Sequence, residues 1–255
     1  MAQLVGRSRP LSLARRNVCD FLHASMKIPT VTIGRTVDLR AVAIARQAAS
    51  PRPSWCGIFT KAYAIVASRR VELRRACLEF PWGRLYDHPH NIASVVAEST
   101  IDGEAVLVPI LINNPESLSL LALDERLTRA KNNPQKEVKT FRRSLILARL
   151  PRMFRRFMWW YGLNVSGYRR ARLFGTFGVT TVSGLGADSL RPLSPWTTLL
   201  HYGVIDAECK MVARMTYDHR VLDGTIPALA LRDFEGVLHK EILGELQTMQ
   251  GRAAA

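Results

Sequence analysis

The sequence predicts an α/β (α+β layered) fold, a mixed β-sheet covered by flanking helices. Three observations predict it. Short strand-like runs alternate irregularly with longer segments of helical periodicity along the 255 residues. Hydrophobic residues make up 47% of the chain, which is enough for a packed core. No internal repeat or low-complexity linker divides the sequence, so we expect a single domain over residues 1–255.

The predicted helices are segments in which apolar residues recur every three or four positions. In chain order they cover residues 10–26, 42–49, 58–76, 117–132 and 226–246. Pro29 ends the first of them, and Pro51 and Pro53 close the second. Residues 69–75, at the end of the third, carry four arginines and are predicted to be solvated.

The predicted strands are short runs rich in β-branched and other apolar residues. They cover residues 30–39, 92–100, 105–112, 177–182, 197–205 and 210–217. Asp102 and Gly103, which separate the second run from the third, favour a hairpin turn.

The chain is strongly basic, with a net charge of +15 from 36 Lys and Arg against 21 Asp and Glu. The stretch from Lys139 to Arg172, called here the basic segment, holds ten basic and no acidic residues. Such a charge balance implies an anionic partner. Clustered Arg, Phe and Trp suit an anionic membrane surface, a lid over an anionic cofactor, or a helix packed on a second copy. Nucleic acid is disfavoured, because no nucleic-acid-binding motif is present.

The cysteines and the remaining histidines give no metal-binding pattern. Cys19, Cys56, Cys77 and Cys209 form no Cys-x-x-Cys pair, and the loop around His88 and His90 lacks further ligands. No secretory signal and no run of eighteen apolar residues is present. We therefore expect reduced thiols, no metal and a cytoplasmic location, with peripheral membrane association through the basic segment as an alternative.

His219 is the candidate general base. It follows a predicted strand and precedes a glycine and the last helix, where an imidazole could act near neutral pH. Asp223, four residues later, could orient the loop or pair with a buried arginine. The spacing alone also fits an ordinary surface or core histidine.

Met-Thr-Tyr-Asp-His-Arg-Val-Leu-Asp-Gly at residues 215–224 resembles the signature of the acyltransferase subunits of 2-oxo acid dehydrogenase complexes. The related chloramphenicol acetyltransferases carry His-x-x-x-Asp-Gly at the same place. Thr-Thr-Val-Ser-Gly-Leu-Gly at residues 180–186 is similar to the serine motif of the dehydrogenase subunits. Weaker similarities occur in the same order, and together the resemblance covers about residues 9–247.

The resemblance implies a chloramphenicol-acetyltransferase-like sandwich and an acyltransferase that uses CoA or acyl-CoA. His219 would take a proton from the thiol of CoA, pantetheine or a lipoyl group, or from a hydroxyl acceptor. Ser183 would donate a hydrogen bond to the tetrahedral oxyanion. Asp223 would be structural and hold the active-site loop. The family also implies a homotrimer or a higher assembly of trimers, in which histidine and serine come from different copies.

Three departures from the family pattern qualify this interpretation. The chain leaves no room for a lipoyl or subunit-binding domain, so a carrier would dock in trans, or both thiols would be free cofactors. The stretch between the fourth predicted helix and the strand at residue 177 is some 25–30 residues longer than the family needs, and this insertion, at about residues 135–172, contains the whole basic segment. Arg74 stands where the family usually has asparagine. The alternatives to an enzyme are a non-catalytic trimeric scaffold and a membrane-surface adaptor.

Overall fold

The computed structural model describes residues 6–101, 103–181 and 186–253. The strands are β1 (Thr30–Asp38), β2 (Arg75–Leu78), β3 (Arg84–Asp87), β4 (Ile92–Ile101), β5 (Glu104–Asn113), β6 (Phe177–Thr180), β7 (Thr198–Tyr202) and β8 (Lys210–Asp218). The helices are α1 (Leu13–Ser25), α2 (Arg40–Ala48), α3 (Trp55–Arg69), α4 (Leu120–Asn132), α5 (Pro134–Glu137), α6 (Lys139–Leu147), α7 (Arg152–Asn164), α8 (Gly167–Phe174), α9 (Thr225–Val237) and α10 (Leu243–Ala253).

Six strands form one mixed sheet in the order β1-β8-β7-β6-β4-β5. β6 pairs in parallel with both β4 and β7, whereas the β1–β8, β7–β8 and β4–β5 pairs are antiparallel. β2 and β3 form a separate antiparallel pair. Parallel neighbours need long crossover connections, and the chain supplies one before β6 and another after it. The predicted mixed sheet with flanking helices is confirmed.

The predicted hairpin over residues 92–112 is also confirmed, as β4 and β5. On β5 the buried Val106, Val108, Ile110 and Ile112 alternate with less buried residues, as expected for a strand with one face on the core. Gly103 in the turn has a φ of 78°, a conformation that glycine adopts without steric cost.

α3 lies in the centre of the core, and ten of its fifteen residues are buried. Its first turn is capped by Ser54, whose Oγ accepts a hydrogen bond from Gly57 N at 3.0 Å. Asp124 of α4 in turn accepts one from Ser54 N at 2.7 Å. The Phe59 ring of α3 lies 4.6 Å from the ring of Tyr202 on β7. Complete burial of such a phenylalanine contributes about 1.5–3 kcal/mol, so these contacts hold α3 against the sheet.

The third predicted helix is wrong over its last residues. α3 ends at Arg69, and the chain then forms a 3-10 turn and enters β2. Leu73 in this turn is fully buried, and its carbonyl oxygen accepts a hydrogen bond from Thr198 Oγ1 at 3.1 Å. Arg74 Nε donates to the carbonyl oxygen of His88 at 2.8 Å. Contacts with distant parts of the chain therefore override the local helical pattern, and this stretch is not a solvated helix end.

The basic segment folds into α6, α7 and α8. α7 packs against α1, where the rings of Phe21 and Trp159 meet edge to face at 6.0 Å. A buried ion pair between Asp20 and Arg155 joins the same two helices. These two contacts with α1 hold the basic segment on the rest of the structure.

No helix in the described ranges is long and apolar enough to cross a membrane.

Candidate active site

His219 lies directly after β8, at the end of the sheet where β1 begins. Its backbone N–H donates a hydrogen bond to the carbonyl oxygen of Pro29 at 2.9 Å. The N–H groups of Val221 and Leu222 both donate to the carbonyl oxygen of Asp218, which forms a tight turn around the histidine. The imidazole itself is 47% exposed. The backbone of this residue is therefore fixed while its ring is open to solvent.

Asp218 and Arg220, on either side of the histidine, fix this turn. The Asp218 carboxylate is fully buried and accepts hydrogen bonds from Arg220 N at 3.0 Å and from its guanidinium at 2.8 and 3.0 Å. This hydrogen-bonded partner raises the pKa of the Arg220 guanidinium. Arg220 NH1 also donates to Glu79 Oε1 at 2.5 Å. This role of Asp218 was not predicted from the sequence, although the Asp-His-Arg spacing places both charged groups beside His219.

Asp223 lies close to the imidazole. Its Oδ1 is 3.7 Å from His219 Nδ1, but the carboxylate is 93% exposed. Among the described residues, Asp223 makes an ion pair with His219 alone. The predicted pairing of Asp223 with a buried arginine is not observed among these residues. Burial, followed by the nearby Asp223 charge, raises the pKa of the Tyr217 hydroxyl. The predicted role of Asp223 in holding the loop stays a prediction.

Ser183 lies outside the described residues, so its predicted role as oxyanion donor also stays a prediction. The last described residue before it, Thr181, donates a hydrogen bond from Oγ1 to the carbonyl oxygen of Tyr202 at 3.1 Å. Tyr202 pairs with Ala213 of β8, and His219 lies six residues further along the chain. At about 3.4 Å per strand residue, Thr181 and His219 are separated by roughly 20 Å along the strand direction.

The other histidines of interest are buried and structural. His201 on β7 is 1% exposed, and its Nε2 is 3.1 Å from Thr216 Oγ1. Burial lowers the pKa of His201 to about 4, and burial also lowers the pKa of His88 to about 4. Both are neutral at pH 7. No group of three or more His, Cys, Asp or Glu side chains suited to a metal ion occurs in the described part of the chain.

Arg74, the residue that departs from the family pattern, binds carbonyl groups of its own chain. Besides the His88 carbonyl, its guanidinium donates to the carbonyl oxygens of Ala67 at 2.6 Å and Ser68 at 3.1 Å. The Arg74 guanidinium therefore satisfies carbonyl groups at the C-terminal end of α3.

No known family model and no curated protein matches this sequence. Solved structures do match its fold. A probable dihydrolipoamide acetyltransferase from Listeria monocytogenes is 14% identical, with a TM-score of 0.67 over 92% of this chain and 95% of the other. The dihydrolipoamide acetyltransferase of Azotobacter vinelandii is 16% identical, with a TM-score of 0.65 over 94% of each chain.

A third match is a truncated catalytic core of the 2-oxoacid dehydrogenase multienzyme complex from Thermoplasma acidophilum. It is 16% identical and has a TM-score of 0.65, over 92% of this chain and 99% of the other. The chain has the fold of dihydrolipoamide acyltransferase cores. The fold implied by the sequence motifs is thereby confirmed, and at this level of identity the likeness concerns the fold.

Proposed function

We propose that this protein is an acyltransferase that moves an acyl group between a CoA or carrier thioester and a thiol or hydroxyl acceptor. The observation that carries the proposal is the position of His219. Its backbone is fixed by the Asp218 turn and by Pro29, while its ring is about half exposed. A general base needs this combination of a fixed position and open access to the proton that it removes.

His219 would act through Nε2, because Nδ1 faces Asp223 at 3.7 Å. For a thiol acceptor, Nε2 removes the S–H proton and the thiolate attacks the thioester carbonyl carbon. The resulting tetrahedral oxyanion would accept a hydrogen bond from Ser183, a contribution of about 3 kcal/mol. Collapse of this intermediate breaks the original C–S bond, and the leaving thiolate takes the proton back from the imidazolium. The acyl group thus moves to the acceptor thiol, the proton of that thiol ends on the leaving thiol, and His219 returns to its starting state.

The separation of Thr181 from His219 supports a site shared between copies. Ser183 stands two positions after Thr181, and an extended chain spans at most about 3.6 Å per residue. This reach spans only part of the separation, which favours a donor from another copy. In a homotrimer, or a higher assembly of trimers, Ser183 of the neighbouring copy would act at His219. The Thermoplasma match, a core of a multienzyme complex, supports an assembly of copies.

In the Azotobacter enzyme a serine, a histidine and an asparagine have been investigated for roles in the catalytic mechanism, and the asparagine stands four positions after the histidine. In this chain Asp223 stands four positions after His219. A carboxylate oxygen at this position can accept the Nδ1–H of the imidazole, as an amide oxygen can. Asp223 would thereby hold the tautomer in which Nε2 is the base.

The experiment is a measurement of free-thiol release by the purified protein from a panel of acyl-CoAs of different chain length. Dihydrolipoamide serves as the thiol acceptor in one series, and simple alcohols serve as hydroxyl acceptors in another. We expect release above the rate of heat-denatured protein with at least one pair. Release no faster than the denatured control with every pair would favour the non-catalytic scaffold.

A second role for the basic segment is docking on an anionic membrane surface. Four apolar side chains of α7 are 45–83% exposed: Met153, Phe154, Phe157 and Met158. Exposed arginines, among them Arg152, lie in the same segment. An apolar helix face flanked by arginines suits the boundary between lipid headgroups and acyl chains.

Flotation with vesicles tests this second role. We expect the protein to float with phosphatidylserine vesicles but not with phosphatidylcholine vesicles. The double substitution Phe154→Ser and Phe157→Ser should abolish flotation, whereas Ile44→Ser, at an equally exposed apolar residue of α2, should not. If the wild type does not float with anionic vesicles, the docking role is refuted, whereas the acyltransferase proposal is unaffected.

A further inference from the structure

A pocket of about 150 Å³ lies between α1, α7 and the turn that follows His219. Its lining includes Lys27 just after α1, Arg156 and Trp159 of α7, and Arg220 beside the candidate base. Cavities of this volume accommodate groups the size of benzene. A single compact polar group therefore fits, and the basic segment supplies one wall of the pocket.

Two buried hydrogen-bond donors on this wall have no acceptor among the described residues. They are the indole Nε1 of Trp159 and the guanidinium Nε of Arg156. Trp159 is 9% exposed, and both residues line the pocket. Buried donors in native proteins are almost always hydrogen-bonded, and one left unpaired is costly. Two such donors on one pocket indicate an acceptor that binds there.

The pocket also carries unbalanced positive charge. Arg220 is neutralised by Asp218 and Glu79, but neither Lys27 nor Arg156 makes an ion pair within the described ranges. Arg170, a third cation on the pocket, donates to carbonyl oxygens only, with no carboxylate partner among the described residues. Burial, followed by the charges of Arg156 and Lys27, lowers the pKa of the adjacent His23. The missing acceptor is therefore expected to be an anion.

We propose that this pocket binds a phosphate group, with Lys27, Arg156 and the Trp159 N–H as its donors. A phosphate offers several acceptor oxygens to separate donors, and guanidinium and ammonium groups bind it through charge-assisted hydrogen bonds. The site does not depend on acyl transfer. Accordingly, His219→Ala is expected to bind the phosphate probe as the wild type does.

The test is calorimetric titration of the full chain with pyrophosphate. Arg156→Gln and Lys27→Gln should each weaken binding by about tenfold, the usual loss for a charge-assisted hydrogen bond. Arg143→Gln, at an exposed arginine of α6 that does not line the pocket, should leave binding unchanged. Equal binding by all four proteins, or no binding to the wild type here and in the lipid arm below, would overturn the proposal.

Trp159→Phe gives a second readout that a purely structural role would not produce. The substitution keeps an aromatic ring against Phe21 but removes the N–H donor together with part of the buried indole ring. We expect pyrophosphate binding to weaken by about fivefold or more, while the folded state of the ligand-free protein, measured by circular dichroism, is retained. Trp82→Phe, at a tryptophan that is 71% exposed, should change neither. Unchanged binding by Trp159→Phe would contradict the proposed donor set.

The phosphate could belong to a free metabolite or to a lipid headgroup, and phosphatidic acid vesicles distinguish the two. Pyrophosphate binding that is sensitive to Arg156→Gln assigns the site to a free phosphorylated ligand. Binding to phosphatidic acid vesicles alone, again sensitive to Arg156→Gln but not to Arg143→Gln, assigns it to a lipid headgroup. Both results support a phosphate site. If Arg156→Gln weakens binding in neither experiment, the proposal is refuted.

Discussion

Arg155 donates a hydrogen bond from Nε to Oδ2 of Asp20 at 2.6 Å, and this contact joins α7 to α1 across 135 positions of the chain. Both side chains are almost completely buried, with exposures of 10% for Arg155 and 5% for Asp20. Arg155 NH1 also donates to the carbonyl oxygen of Leu150. The basic segment is thus anchored by a charged group that has lost its contact with water and depends on its partner.

Asp20→Asn is therefore expected to lower the free energy of unfolding by about 3–5 kcal/mol, because it leaves the buried Arg155 charge without a carboxylate. Urea denaturation followed by circular dichroism measures this change. The control is Glu208→Gln, which breaks the exposed pair between Lys210 and Glu208 and should cost less than about 1 kcal/mol. Similar losses in both variants would show that the Asp20–Arg155 pair does not anchor α7.

Gly167→Ala should destabilise the contact between α8 and β3. A Cβ atom at this position would lie 2.1 Å from Tyr86 Cδ1, so the tyrosine ring must move. Overpacking of this kind typically costs about 1–3 kcal/mol. At Gly236 of α9 an added Cβ would meet no atom within 4 Å, so Gly236→Ala should be neutral or stabilising. The melting temperatures of Gly167→Ala and Gly236→Ala test this comparison. An unchanged melting temperature for Gly167→Ala would contradict the close packing against Tyr86.

The protein should lose stability as the pH falls from about 6.5 to about 4. In the folded state His88 and His201 have pKa values of about 4, against 6.5 for an unperturbed histidine. Between these values the unfolded chain binds more protons, so protonation favours unfolding. Each group contributes on the order of 3 kcal/mol, which is fully present above pH 6.5 and lost towards pH 4.

Urea denaturation between pH 4 and pH 7 measures this dependence. His201→Gln should flatten the curve by removing one of the two groups. His90→Gln, at an exposed histidine, should leave most of the dependence in place, because burial is the largest cause of the lowered pKa of His88. An equal dependence in the wild type and His201→Gln would mean that the buried His201 does not titrate with a lowered pKa.

The sequence predicted those parts of the fold that local patterns determine. The alternation of Val106, Val108, Ile110 and Ile112 indicated β5, and the periodicity of residues 226–246 indicated α9 and the beginning of α10. The end of α3 was predicted wrongly, because burial of Leu73 and its hydrogen bond with Thr198 depend on residues far along the chain. The short β2–β3 pair was not predicted for the same reason, since strands of four residues carry too little pattern of their own.

The candidate site was predictable only as far as its local motif. His219 and Asp223 stand four positions apart, and the structure brings their side chains to 3.7 Å. The Asp20–Arg155 pair and the unpaired donors on α7 could not be predicted, because they arise where α7 meets α1. A charged residue carries no local signal that it will be buried, and most arginines of a basic segment are solvated.

A mixing experiment tests whether the proposed site is shared between copies. His219→Ala and Ser183→Ala should each be about a hundredfold or more less active than the wild type when assembled alone. Co-assembly of the two variants should restore part of the activity, because some sites then combine an intact histidine with an intact serine from a neighbouring copy. The native mass of each variant serves as the control for assembly. If co-assembled variants stay inactive while the assembly is intact, the site does not combine residues of two copies.

The assignment of the general base is tested by the initial rate of acyl transfer in His219→Ala, with the acyl-CoA and acceptor that the wild type uses best. His90→Ala, at an exposed histidine outside the site, is the matched control. We expect a loss of about 10²–10⁴-fold in kcat for His219→Ala, with an unchanged native mass and wild-type activity in His90→Ala. A rate for His219→Ala equal to that of the wild type would contradict the assignment of His219 as the general base.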